Sequence, residues 1–440
     1  MESRPAPLSL AEAFRFWLKL GFISFGGPAG QIAIMHAELV ERRRWISEKR
    51  FLHALNYCML LPGPEATQLA TYIGWMMHRT WGGIVAGGLF VLPSVFILIG
   101  LSWLYMAYGE VPAIAGLLYG IKPAVVAIVL AAAWRIGSRA LKHPALWLIS
   151  IAAFAAIGLY SVPFPYVVIA AALAGALGGR YAPHVFSGGG GHGTAAAHFG
   201  PAIIDDDMPT PDHARFRPRR LLATLAAGIG LWAFVLGALA LAFGWHSTLA
   251  QMGWFFTKAA LLTFGGAYAV LPYVYQAAVE NHQWLTAAQM IDGLALGETT
   301  PGPLIMVVAF VGFVGGWSHA LFGSEQQFLA GAAAAVVVTF FTFLPSFLFI
   351  FAGAPLVEAT HGDLKFTAPL TGITAAVVGV VVSLAAFFAQ HVFFAGAAID
   401  WISIALAAAA LAALARFKTG LITVILGCGA AGLCYRLLIA

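Results

Sequence analysis

The feature that most limits what this chain can fold into is an internal repeat. Lys19, Phe25-Gly26-Gly27, Trp45 and Pro62-Gly63-Pro64 recur as Lys258, Phe264-Gly265-Gly266, Trp284 and Pro301-Gly302-Pro303, each pair separated by 239 positions (258 − 19, 265 − 26, 284 − 45, 301 − 62). Chance does not hold one register across four features, so the chain reads as two copies of one unit. Farther on, Leu92-Pro93-Ser94 matches Leu344-Pro345-Ser346, and Pro123 is expected to match Pro369, with an insertion in the second copy around 315–327.

The repeats belong in lipid. With 61% hydrophobic and 9% charged residues, the chain cannot cover a soluble globule with polar surface. Stretches such as 82–104 and 221–243 run for about the 20 apolar residues that span a hydrocarbon core. The expected fold class is an all-α polytopic membrane protein made of two inverted-topology repeats, with broken or re-entrant helices at Gly-Gly and Pro-Gly-Pro. Its parts are a first transport repeat at 14–180, a flexible cytoplasmic linker at 181–220, an extra transmembrane helix at 221–244 and a second, inverted repeat at 255–440.

The segment 14–35 is interrupted by Lys19 and Gly26-Gly27-Pro28 and does not read as a cleaved signal peptide. Cys58, Cys428 and Cys434 lie in apolar surroundings without metal-ligand spacing and are expected to be packing residues. In the linker, the glycines at 188–191, the acidic run 205–207 and the basic run 215–220 read as solvated and flexible. His184, His192 and His198 fit that linker better than a metal site.

Charge sets the orientation. The loop 41–50 carries Arg42, Arg43, Arg44, Lys49 and Arg50, whereas its counterpart 280–289 has no Lys or Arg. Under the positive-inside rule the two loops face opposite sides, as inverted repeats require. If 16–37 and 52–77 are re-entrant pairs bent at Gly26-Gly27 and at Pro62-Gly63-Pro64, the N-terminus, the linker, Arg416 and Lys418 all fall on the cytoplasmic side of an inner membrane. Simple spanning helices are the competing layout.

Breaks inside apolar segments free backbone groups for which lipid supplies no partner, so they survive only against protein or a polar cavity. A helix restarting after a break presents unpaired N–H groups and a positive dipole end, which suits an anion. Close packing and kinking explain a single break. Four at matched positions favour a substrate site built around Gly26, Gly27, Pro62, Gly63, Pro64, Gly265, Gly266, Pro301, Gly302 and Pro303.

Polar residues beside these breaks extend the candidate list. Lys19 and Lys258 would either attract substrate or snorkel, and Lys122, midway along an apolar segment, is harder to explain by snorkelling. Gln31 and Gln68 can donate from their amides, and because Val270 and Val307 replace them in the second half, Tyr268, Tyr273, Thr299 and Thr300 are the compensating donors. Glu65 and Glu298 flank the two Pro-Gly-Pro turns, where a carboxylate could couple proton binding to anion binding; helix capping is the plainer role for Glu65. No catalytic, metal or nucleotide motif is present, so no cofactor is expected and an enzyme or primary pump is disfavoured.

The stretch Gly26-Gly27-Pro28-Ala29-Gly30-Gln31, Trp45, and Leu61-Pro62-Gly63-Pro64 with Gln68, Ala70 and Gly74 resembles the chromate ion transporter family, as does Phe264-Gly265-Gly266 with Pro301-Gly302-Pro303. The resemblance covers nearly the whole chain in the family's long, two-half form. It implies chromate export and chromate resistance, driven by the membrane potential or a proton gradient. A sulfate or molybdate permease and an anion channel are the rivals. The implied partners are chromate or a related oxyanion, with sulfate as competitor, the lipid bilayer and a second copy in a homodimer, with no nucleic acid.

Overall fold

A computed structural model of the chain describes every residue except 1–4, 7, 26, 187–198, 207, 209–210, 265, 361–366, 396–397 and 440. The sequence candidates Gly26 and Gly265, together with His192 and His198, lie outside the described residues. Apart from two short antiparallel strands (β1, Phe394–Ala395, and β2, Ala398–Ile399), the regular structure among the described residues is helical. Among the described residues, seven helices are long and apolar enough to cross a membrane, as a polytopic membrane protein requires.

The first half opens with α1 (Leu10–Ile23) and α2 (Gly27–His36), which runs into a π-helical turn, Ala37–Arg42. Then come α3 (Glu48–Leu60), α4 (Glu65–Tyr108), α5 (Pro112–Ala140), α6 (Pro144–Gly158), α7 (Phe164–Tyr181) and the short α8 (Pro183–Phe186). Helix α9 (Pro218–Phe243) leads into the second half: α10 (Thr248–Leu261), α11 (Ala267–Tyr275) with its π-helical turn Gln276–Asn281, α12 (Ala287–Thr299), α13 (Val307–Ser318), α14 (Gln327–Thr360), α15 (Thr367–Phe393), α16 (Trp401–Ala415) and α17 (Leu421–Ile439).

Helices α1, α3, α10, α12 and α13 have 12 to 14 residues. At 1.5 Å per residue each is about 20 Å long, short of the roughly 30 Å hydrocarbon core. They fold back in pairs at the glycine and proline breaks. Tyr57, before Pro62, lies 6.4 Å ring to ring from Tyr72, well beyond Pro64, so α3 and the start of α4 run side by side. A Cβ on Gly293 would strike the Phe310 ring, which brings α12 and α13 together in the same way. Phe16 meets Trp45 at 4.5 Å and Phe255 meets Trp284 at 5.8 Å, which brings the chain after each π-helical turn back against α1 and α10.

Helix α4 is itself two antiparallel arms, 65–77 and 80–108. His78 and Arg79 leave helical geometry between them, with Arg79 at φ 56° and ψ −155°. Gly74 and Gly82 sit back to back, so a Cβ on either would run into the other's carbonyl oxygen. Only glycines let two helix backbones approach this closely.

The repeat reaches fine detail. Arg44 and Gln283, 239 apart, both have left-handed φ, 52° and 51°. Ser47 and Thr286 cap α3 and α12, and the Trp45 and Trp284 N–H groups donate to the Leu39 and Ala278 carbonyls, each at 2.7 Å. Around this centre, α5 packs on α16 and α17 of the other half while α15 packs on α6 and α7. Gly120 abuts Cys428 and Gly432, and Gly372 abuts Ala171 and Gly175. This corrects the expected match of Pro123 with Pro369. Gly120 and Gly372 are the equivalents, 252 apart (372 − 120), the separation already set by Pro93 and Pro345 (345 − 93). Pro369 sits in the first turn of α15, whereas Pro123 lies in the interior of α5.

The described part of the linker is docked rather than free. The N–H groups of Ile203 and Ile204 donate to the carbonyls of Arg44 and Trp45 at 3.0 and 2.9 Å, and the Ser47 N–H donates back to the Ile204 carbonyl at 2.9 Å. Ser47 Oγ reaches Asp206, Arg50 reaches the Met208 carbonyl, and the His213 ring meets the Trp75 carbonyl. Ala202, Ile204 and Ala214 are buried. Composition points to a tether because it cannot register that these residues pair with the exposed backbone of the 42–50 loop. His184 faces His143, and Cys434 is exposed, in contrast to the buried Cys58 and Cys428.

Candidate functional site

The turns of the helix pairs meet one another across the two halves. The Gly63 N–H donates to the Thr263 carbonyl at 2.7 Å, and the Gly302 N–H donates to the Ser24 carbonyl at 2.8 Å. Since 63 and 302, and 24 and 263, are each 239 apart, the two bonds are reciprocal. Glycine is required at both turns: φ is 122° at Gly63 and 99° at Gly302, a region that a Cβ disfavours. A side chain at Gly63 would also collide with Ser346 Oγ, and one at Gly302 would come within 2.9 Å of Ser94 Cβ. The Leu-Pro-Ser motif of each half thus backs the Pro-Gly-Pro turn of the other.

Buried polar groups line this seam. The Gln31 amide donates to the Gly302 carbonyl, and the Gln68 amide donates to the Pro62 carbonyl at 2.7 Å. Their Oε1 atoms, and the hydroxyls of Thr67, Ser94 and Ser346, are buried without a hydrogen-bond partner among the described residues. Each such group costs about 1 to 3 kcal/mol if it stays unpaired. The three hydroxyls along one seam can donate to an occupant that accepts hydrogen bonds, whereas the two amide oxygens need a donor such as water.

Helices α2, α4 and α11 start at these turns, as does the 3-10 turn Leu304–Met306 ahead of α13. In α4 the N–H groups of Glu65, Ala66 and Thr67 fall in the first turn, where a helix offers them no internal acceptor. The expectation of free donors at every break needs one correction: Gly63 and Gly302 have already given theirs to the opposite half. Gly27 and Gly266, with φ 70° and 96°, border open space, since a Cβ on either meets nothing within 4 Å.

Other candidates lie elsewhere. Lys19 and Lys258 are exposed on the outer faces of α1 and α10, with Lys258 Nζ 5.7 Å from the Trp254 ring centroid. Their exposure fits snorkelling better than a place in the buried seam. Thr300 and Thr299 spend their hydroxyls on the carbonyls of Gly297 and Leu296 in their own helix, and Tyr273 stacks on Phe164. Tyr268 donates to Glu298 beside the second Pro-Gly-Pro turn, Pro301 to Pro303, while Glu65 occupies the first turn of α4. Pro64 and Pro303 sit in the N-cap positions of α4 and the 304–306 turn, where no N–H is needed.

Lys122 belongs to a different constellation. Its Nζ lies 3.4 Å from Asp292 Oδ2, and the Tyr105 hydroxyl donates to the same oxygen at 2.9 Å. This ties α12 to α4 and α5. On the other side, Arg50 Nη1 lies 3.5 Å from Glu358 Oε2 and the Tyr72 hydroxyl donates to Glu358, tying α3 and α4 to α14. The two clusters are approximate counterparts. Helix α12 repeats α3, and Glu358 falls at the position of Met106 beside Tyr105 (358 − 252), although Lys122 comes from α5 whereas Glu358 comes from α14.

Sequence reasoning missed Asp292, Glu358, Thr67, Ser94 and Ser346. The serines have a visible signal, being part of a motif matched between the halves. Nothing local marks Asp292 or Glu358 as members of cross-half clusters. Among the described residues no group of three His, Cys, Asp or Glu side chains is placed to hold a metal.

The family model of chromate transporters matches residues 11–176 and 250–433. The chain belongs to the chromate transporter family. The family accounts for both halves of the chain and makes it a membrane transport protein rather than an enzyme. The chain is 35% identical over 384 residues to a chromate transport protein of Pseudomonas aeruginosa, covering 86% of this chain and 81% of that one. It is 28% identical over 432 residues to a chromate transport protein of Cupriavidus metallidurans, covering 93% and 89%. An uncharacterized transporter of Bacillus subtilis is 31% identical over 120 residues, which is 27% of this chain and 67% of that one. No solved structure matches the chain.

Proposed function

We propose that this family member is a secondary transporter that exports chromate from the cytoplasm across the inner membrane. It works by alternating access between two inverted repeats whose re-entrant helix pairs meet at the midplane. The observation that carries this reading is the reciprocal seam Gly63–Thr263 and Gly302–Ser24, with the unpartnered hydroxyls of Thr67, Ser94 and Ser346 beside it. Hydroxyls, amide N–H groups and helix N-termini are the donors a tetrahedral dianion accepts, and discontinuous helices are how transporters hold charged substrates. The names of the relatives favour chromate among such dianions.

Short paired helices support re-entry, because each pair returns to the side it left. Arg42 to Arg44 and the docked linker share one face, which the positive-inside rule makes cytoplasmic. Counting from there, with the 15-residue α6 taken as the shortest crossing, the second arm of α4 and helices α5, α6, α7 and α9 cross in turn, so the second half begins from the opposite side. The Arg50–Glu358 and Lys122–Asp292 clusters then lie toward opposite faces of the membrane. We assign them as inner and outer gates. Gates at both ends favour a transporter over a continuous anion channel. A membrane potential contributes about 2.3 kcal/mol per charge per 100 mV, acting twice on an exported dianion.

Everted vesicles carrying the protein should accumulate radiolabelled chromate saturably, an uncoupler should abolish this, and sulfate should compete weakly. Uptake equal to empty vesicles would overturn chromate export, and strong preference for sulfate or molybdate would reassign the substrate. Ser94→Ala and Ser346→Ala should each raise the chromate KM about tenfold, the effect of losing about 1.4 kcal/mol of hydrogen bonding. Thermal stability should hold or rise, because a buried hydroxyl with no protein partner costs the empty fold stability. A fall in stability without a change in KM would remove these serines from the site.

A further inference from the structure

A groove of about 1030 Å³ runs between the second arm of α4, helix α9 and helix α14, with Leu92 and Leu344 of the two Leu-Pro-Ser motifs on its lining. Its walls are apolar, with Val95 and Phe340 among them, and one end is ringed by Arg79, Arg215, Arg217 and Arg220. Between Arg79 and Ile99, both on the lining, α4 rises about 30 Å, the thickness of a hydrocarbon core. Helix α9 is the loosest of the long helices: only Leu236 on it is buried, and it rests on α10 and α14.

The arginine end has an excess of positive charge. Arg215 pairs with Asp212 at 3.2 Å and Arg220 donates to the Asp212 carbonyl, while Arg79 and Arg217 have no ion-pair partner among the described residues. On the groove lining, one carboxylate thus stands against four guanidinium groups. A groove open to acyl chains along its length and arginine-rich at one end matches a molecule that is apolar with one anionic head. We propose that this groove binds an anionic phospholipid of the leaflet on the arginine side, its phosphate on Arg79 and Arg217 and its acyl chains between α4, α9 and α14. The lipid fills the gap that would otherwise leave α9 poorly packed. Charge selects a lipid over a second copy of the chain, which would have to bring acidic side chains to the edge of the hydrocarbon.

The full chain, reconstituted in vesicles of equal phosphatidylglycerol and phosphatidylcholine and then extracted in mild detergent, should retain phosphatidylglycerol over phosphatidylcholine by native mass spectrometry. Arg79→Gln with Arg217→Gln should cut that retention by about tenfold or more, since each arginine near an anionic surface contributes about 1 kcal/mol. Val95→Trp, which fills the groove and leaves the arginines in place, should do the same. Equal retention of the two lipids, or phosphatidylglycerol retention unchanged in both variants, would overturn the proposal. So would a Val95→Trp protein that changes from dimer to monomer with its lipid content intact, which would give the groove to a second copy.

Discussion

Chromate uptake by Gly63→Leu should fall to the level of empty vesicles, while Ala412→Leu should transport like the parent. Gly63 carries three constraints at once. Its φ of 122° excludes a branched L side chain at a cost of about 1 to 3 kcal/mol, its N–H is bonded to Thr263, and the space over its Cα is taken by Ser346 and Gln68. Overpacking adds about 1 to 3 kcal/mol more. The turn therefore shifts, and the seam shifts with it. Ala412 lies on the exposed side of α16 and has no such neighbours. Membrane abundance measured alongside separates lost activity from lost protein. Equal transport by the two variants would reduce Pro62-Gly63-Pro64 to a kink.

The second large effect concerns the buried ion pair. Lys122→Ala leaves the Asp292 side chain, 3% exposed, without its cation, and breaking such a pair typically costs about 3 to 5 kcal/mol. Transport by the single variant should be lost. The double variant Lys122→Ala, Asp292→Ala removes both charges and should recover a substantial part of both abundance and uptake. A residue that binds substrate gives the opposite pattern, because deleting its partner cannot replace it. Recovery supports a gate; a double variant as inactive as the single would return Lys122 to the substrate site.

Much of this architecture is legible without coordinates. Two matched glycine breaks and two matched Pro-Gly-Pro turns in an apolar chain leave few folds open, because each frees backbone groups that lipid cannot satisfy. The reciprocal use of Gly63 and Gly302 follows from a symmetry already present in the 239-residue register, although the acceptors Ser24 and Thr263 give no sign of their role. Lys19 and Lys258 show where the reading fails. In a soluble helix, the apolar stripe reveals which side a lysine faces. The same signal is present here and the reading passes over it: Phe16, Trp17 and Leu20 form the buried stripe of α1, while Glu12, Arg15 and Lys19, three and four apart, share its exposed side. Asp292 and Glu358, by contrast, are hidden. Their partners come from helices far away in sequence, and only the interlocked packing of the halves brings them together. The docking of the linker is invisible because composition reports solvation, not the backbone pairing that holds Ile203 and Ile204 on the 42–50 loop.

The inverted arrangement is the claim on which the transport cycle depends, and side-specific cysteine labelling tests it most directly. Trp45 and Trp284 are buried, so the labels belong on the exposed, equivalent Arg42 and Asn281, each replaced by cysteine in a chain whose Cys58, Cys428 and Cys434 have been replaced by serine. A membrane-impermeant maleimide applied to intact cells should label Asn281→Cys and spare Arg42→Cys, and everted vesicles should reverse the pattern. Both positions reacting from the same side would contradict the inverted repeats and, with them, the assignment of the two ion-pair clusters as gates on opposite faces.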